Sequence, residues 1–92
     1  MNKLKGKNIL ITAGAQGIGA SITQHFIECG ANVAIHYFSS ETVANQLVKD
    51  ANNKGQKAIA IAGDLTKEVD ANALVEKTVE ALGGLDILIN NT

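Results

Sequence analysis

Arginine is missing from this chain: its eight basic residues are all lysine, set against nine acids for a formal charge of -1. Nucleic-acid binding rests on neutralising backbone phosphates, and this balance leaves little to do it with, so no nucleic-acid partner is expected. Long apolar runs are missing too. None approaches the roughly 20 residues that cross a bilayer, so neither a membrane span nor a secretory leader is expected. Cysteine occurs once, as Cys29. That excludes an internal disulfide and fits a reducing compartment, the cytoplasm. With nothing nearby to activate it, Cys29 reads as small filler on the apolar side of a helix rather than as a nucleophile. His25 and His36 stand apart from any grouping of cysteines and acids, so no metal site is expected.

What is present is apolar and regular. Hydrophobic residues make up 46% of ninety-two and charged residues 18%, which suits one domain at most, built on a buried parallel sheet. The chain is organised around the stretch from Lys7 to Cys29. A strand candidate over Lys7 to Thr12, centred on Ile9, Leu10 and Ile11, runs into three glycines, Gly14, Gly17 and Gly19. A helix follows from Gly17 or Ile18 to Cys29, with Ile18, Ile22, Phe26 and Cys29 as its expected apolar stripe and Gly30 as its stop. Strand, glycine turn and helix in that order make a dinucleotide-binding arrangement: the helix's first N–H groups and its dipole favour a pyrophosphate, and small residues let it approach. The spacing Gly14-x-x-Gly17-x-Gly19 differs from the usual G-x-G-x-x-G. No Lys-Ser or Lys-Thr pair follows, so a nucleotide-triphosphatase loop is not supported.

The alternation continues. A second strand is predicted from Asn32 to Tyr37, and a second helix is capped by Ser39 or Ser40 with Glu41 in its first turn. Val43, Ala44, Leu47, Val48 and Ala51 form its apolar stripe. A third strand is predicted over Lys57 to Ala62. The third helix follows, capped by Thr66, with Ala71, Leu74, Val75, Val79 and Leu82 inward and Gly83-Gly84 ending it. Leu85 to Ile89 is the fourth strand. The pattern βαβαβαβ implies an α/β fold, the front part of a doubly wound parallel sheet of the Rossmann kind. Its strand order is 3-2-1-4, with the first two helices on one face and the third on the other. The fourth strand would be an apolar edge, so residues 1–92 read as the N-terminal part of a single larger nucleotide-binding domain.

Four separated features, Thr12-Ala13-Gly14-Ala15-Gln16-Gly17-Ile18-Gly19, Asp64-Leu65-Thr66, Leu85 to Ile89 and Asn90-Asn91, resemble the short-chain dehydrogenase/reductase family over the whole chain. His36 to Glu41 looks most like its bacterial branch of 3-oxoacyl-carrier-protein reductases and glucose 1-dehydrogenases. Ala13 departs from the family's Thr-Gly-x-x-x-Gly-x-Gly. With positive φ that change costs on the order of 1 kcal/mol; with negative φ it costs little. Thr92 departs from Asn-Asn-Ala-Gly and points to a variant or a disrupted end.

The resemblance implies hydride transfer between a nicotinamide and a carbonyl or alcohol substrate, and a homo-oligomer when complete. By position, Gly14, Gln16, Gly17, Ile18 and Gly19 would surround the cofactor phosphates. Tyr37 and Ser39 would stand at the adenosine ribose, Asp64 would accept from the adenine amino group beside Leu65, and Asn90 would lie along the ribose. Asn91 would hold the exit of the fourth strand. Two other readings of these residues stay open: Asp64 as a turn residue, and Asn90-Asn91 as an asparagine turn. No acid stands at Tyr37 where NAD selection would place one, so both NADP and NAD are expected to be accepted, with a modest preference for NADP.

The serine, tyrosine and lysine of such enzymes lie downstream of the fourth strand, and Tyr37 cannot substitute, so no catalytic residue is named. The chain is either part of a full oxidoreductase or an inactive nucleotide-binding or structural fragment, and an intact-mass measurement separates the two. A methyltransferase sharing the crevice is disfavoured by the Asn90-Asn91 exit.

Overall fold

A computed structural model describes residues 3–91. Its elements are β1 (Asn8–Ile11), α1 (Gly17–Glu28), β2 (Asn32–Tyr37), α2 (Glu41–Asn53), β3 (Ala58–Ala62), α3 (Glu68–Leu82) and β4 (Ile87–Ile89). The four strands form one sheet in the order β3-β2-β1-β4, with every pairing parallel. This is the expected doubly wound α/β topology. Thr92 lies outside the described residues.

Alternation along the strands divides the core in two. Ile9, Ile11, Val33 and Ile35 point to one face and pack with Ile27 of α1 and Ala44, Leu47 and Ala51 of α2. Leu10 and Ala34 point to the other and pack with Ile61, Leu74 and Leu82 beneath α3. Buried strands without polar alternation are what a sheet covered on both faces requires.

The inward stripes of the helices differ from those expected. On α1 the buried positions are Gly19, Thr23 and Ile27, while Ile18 is 76% exposed. Small residues make the contact between this helix and the glycine turn: Thr23 Oγ1 donates to the Gly14 carbonyl at 2.9 Å. Hydrophobic periodicity marks the large side chains that flank such a contact, here Ile22 and Phe26, both half-buried. On α3, Leu74, Thr78 and Leu82 face inward and Val75 and Val79 are exposed. Thr78 is tolerated in the core because its hydroxyl donates to the Leu74 carbonyl at 2.8 Å. Val43 of α2 is likewise exposed.

Two boundaries also shift. Asp86 Oδ2 accepts from the Asn8 N–H at 2.8 Å, and a carboxylate in the place of a ladder carbonyl delays β4 to Ile87. Thr66 does not cap α3. Lys67 precedes that helix, because the Thr66 hydroxyl turns back to Asp64 Oδ1 at 2.6 Å.

Candidate dinucleotide site

All three crossovers place their loops at the C-terminal edge of the sheet, where the order reverses between β1 and β4, the usual position of a ligand crevice. The glycine turn opens it. α1 begins at Gly17, and its first intrahelical bond is from the Ala20 N–H to the Gln16 carbonyl at 3.1 Å. The N–H groups of Gly17, Ile18 and Gly19 therefore precede the helical ladder. They find no protein acceptor among the described residues. Gly17 has φ +43 and open space where a Cβ would stand. Ile18 and Gln16 are exposed beside it. This is a cradle of fixed N–H groups that a side chain would fill, and it fits a phosphate.

Gly14 serves differently. Its N–H donates to the His36 carbonyl at 2.9 Å, and its carbonyl accepts from Thr23. A Cβ there would stand 2.9 Å from Thr23 Oγ1. Both its backbone groups are thus taken by protein, and Gly14 lets the turn pass close to α1 rather than offering an N–H to a ligand. At Ala13 the open question is answered: φ is +51, so the residue carries the left-handed strain that the family's glycine avoids.

Ala13 is also a junction. Its N–H donates to His36 Nδ1 at 2.9 Å, and its carbonyl faces Asn91 Nδ2 at 3.4 Å. Thr12 ties the same loop to the exit of β4, its Oγ1 accepting from the Asn91 N–H at 2.9 Å and lying 3.1 Å from Asn90 Oδ1. Asn90 and Asn91 thus brace the phosphate turn, as well as following the fourth strand.

Beside the turn is a cleft of about 380 Å³. Ala13 and Gln16 line it from the turn, His36 and Phe38 from the end of β2, and Gly63, Leu65 and Thr66 from beyond β3. Phe38, 70% exposed, was not singled out from the sequence, and its signal is alternation. Ala34, His36 and Phe38 share one face, opposite Ile35 and Tyr37. Tyr37 accordingly packs against the α1/α2 core and donates its hydroxyl to Glu41 Oε2 at 3.2 Å. Desolvation, with the Glu41 hydrogen bond and charge, raises its pKa above the ordinary 10.0. Ser39 is exposed, and Ser40 precedes α2 without a capping side-chain bond.

Asp64 is half-buried, with Oδ1 accepting from both the Thr66 hydroxyl and the Thr66 N–H. Those bonds, the hydroxyl first, and the nearby Lys67 hold its carboxyl below the usual 3.8, against a smaller desolvation effect. It therefore closes the turn through Oδ1, and its Oδ2 accepts no hydrogen bond from the described residues. Also among those residues, no group of histidines, cysteines and acids could hold a metal, and no helix is long and apolar enough to cross a membrane.

Comparison with known proteins agrees with this geometry. The family model for short chain dehydrogenases matches residues 7–92. General stress protein 39 of Bacillus subtilis is 46% identical over 90 residues, covering 98% of this chain and 32% of that protein. The L-rhamnose 1-dehydrogenase (NAD(P)(+)) of a Sphingomonas species is 36% identical over 91 residues, covering 99% and 36%. A solved short chain dehydrogenase from Burkholderia cenocepacia, in complex with NADP, superposes with a TM-score of 0.93 at 43% identity, covering 99% of this chain and 37% of that one. The chain thus spans about a third of the length of the relatives it matches.

Proposed function

The chain belongs to the short-chain dehydrogenase/reductase family, and from that membership we propose that its residues form the adenosine-pyrophosphate half of a nicotinamide dinucleotide site in an oxidoreductase. The observation that carries the proposal is the start of α1, where three consecutive N–H groups stand free above a glycine with φ +43. In this reading Gly17, Ile18 and Gly19 hold the diphosphate, with Gln16 at its side. Asp64 Oδ2 and Leu65 receive the adenine, and Asn90 lies along the ribose beside Thr12. When bound, the dinucleotide supplies hydride exchange with a carbonyl or alcohol carbon of a small-molecule substrate. This chain's residues bind and orient it, none of them is given a proton-transfer role, and the chain alone is expected to be inactive. A cytoplasmic homo-oligomer is the expected setting.

Both cofactors are accepted, with a modest preference for NADPH. The relative from B. cenocepacia carries NADP, and the name of the Sphingomonas enzyme admits both cofactors. No acid occupies the end of β2, and the hydroxyls of Ser39 and Ser40 stand at the positive end of α2. The test is titration of NADPH and NADH into the protein that carries these residues, wild type and Gly17→Val, followed by NADPH oxidation with a panel of aldehydes and ketones. Saturable binding that weakens at least about tenfold in Gly17→Val supports the site, since a valine side chain displaces charge-assisted N–H contacts. Absence of binding of either cofactor to the wild type refutes it.

A further inference from the structure

The function proposed above gives no role to one buried titratable side chain of the cleft, His36. It is 4% exposed and lies at the bottom of the cleft, with both ring nitrogens engaged. Nδ1 accepts from the Ala13 N–H at 2.9 Å, and Nε2 lies 2.9 Å from the Gly63 carbonyl. A nitrogen that accepts an N–H carries no proton, so the neutral ring has its proton on Nε2 and donates it to Gly63. One imidazole in one tautomer thus bridges the phosphate turn to the exit of β3. The backbone repeats the connection, since the His36 carbonyl accepts from the Gly14 N–H at 2.9 Å.

What the ring holds in place is the strained residue of the turn. Ala13 is the described non-glycine residue with positive φ, and a peptide in that region persists only where its surroundings over-determine it. The bond to Nδ1 turns the Ala13 N–H toward the His36 ring. Its carbonyl then lies toward Asn91 and over the Cα of Gly19. We propose that His36 is a positioning residue for the dinucleotide: its neutral imidazole clamps Ala13 and Gly63 and so presents the free N–H groups of α1 to the diphosphate.

The inference rests on the dinucleotide reading, and the test separates the two. NADPH dissociation constants are measured for wild type, His36→Leu, His36→Asn and His36→Gln in the protein that carries these residues. Asn places a carbonyl oxygen where Nδ1 stands, whereas Gln reaches the Nε2 position. The expected result is about tenfold weaker binding in His36→Leu, the scale of one lost hydrogen bond, with most of the affinity restored in Asn. If wild type binds NADPH and His36→Leu binds it equally well, or if Asn restores none of the loss, the clamp is refuted while the site stands. If wild type binds neither NADPH nor NADH, both fall. Should His36→Leu fail to fold, Asn and Gln decide: Gln does not place its oxygen at Nδ1 and should bind more weakly than Asn, and equal binding refutes the clamp.

Discussion

Gly19→Ala is the substitution that most directly tests how the phosphate turn is built. A methyl group on Gly19 falls on the Ala13 carbonyl oxygen and on Asn91 Nδ2. The first is backbone, and the second is the end of a side chain that donates to that same carbonyl. The Ala13 peptide is tied through its N–H to His36 Nδ1, and Asn91 is anchored by its own N–H on Thr12 Oγ1 at 2.9 Å. The strain must therefore be relieved by moving the first turn of α1 outward or by rotating the Ala13 peptide. Overpacking of this kind costs about 1–3 kcal/mol, and loss of the Asn91 contact adds about 0.5–1.5 kcal/mol. The gain in helix propensity, up to about 1 kcal/mol, offsets part of it. The net expectation is about 1–3 kcal/mol of destabilisation, or a drop in the urea midpoint on the order of 1 M.

Gly17→Ala is the control, because its Cβ meets open space and only its φ of +43 is strained. It should lose about 1 kcal/mol and should weaken NADPH binding, since the methyl stands over the cradle. Equilibrium denaturation and cofactor titration of the two variants together provide the assay. A Gly19→Ala protein as stable as wild type would refute the account of the turn, because the Ala13 carbonyl would then be free to move.

Ala13→Gly is expected to stabilise. Relief of left-handed strain returns about 1–2 kcal/mol, and the added freedom of the unfolded chain removes about 0.4–1 kcal/mol. A rise in thermal midpoint checks it, and a fall would mean that the turn does not hold Ala13 at positive φ. Asp64→Asn addresses pH dependence. The folded carboxyl is held below 3.8 by Thr66, so its contribution to stability is complete above that ordinary value and is lost as pH falls through the lower folded one. The variant should therefore show a flatter acid limb in denaturation against pH, and an unchanged limb would count against the Thr66 bonds. Tyr37→Asp should shift kcat/KM toward NADH by repelling a 2′-phosphate, in addition to losing the hydroxyl bond to Glu41. An unchanged ratio in that variant, beside a wild type that strongly prefers NADH, would show that the end of β2 does not meet the ribose.

The order of elements was legible in the sequence because it rests on local signals, and the 3-2-1-4 sheet because the alternation implies a doubly wound topology. Short apolar runs, helical periodicity, and glycines such as Gly30 and Gly83, both at φ +90, mark strands, helices and stops without reference to distant residues. The phosphate turn was legible for the same reason, since its glycines and the helix they open are contiguous. What each residue of the turn does depends on partners far along the chain. Gly14 and Gly19 read alike in the motif, yet one packs on Thr23 and the other lies under Ala13 and Asn91. The sign of φ at Ala13 is set by contacts to His36 and Asn91, 23 and 78 residues away. The inward stripe of α1 escaped periodicity because its closest contacts are made by glycine and threonine, which hydrophobicity does not mark. Tyr37 and His36 are neighbours in sequence, but the strand turns one to the α1/α2 core and the other into the cleft. Local composition determined which segments become strands and helices. Which side chains line the cleft and which only brace it was decided by the order β3-β2-β1-β4, which gathers the ends of β1, β2 and β3 around the cleft and sets the exit of β4 against the turn.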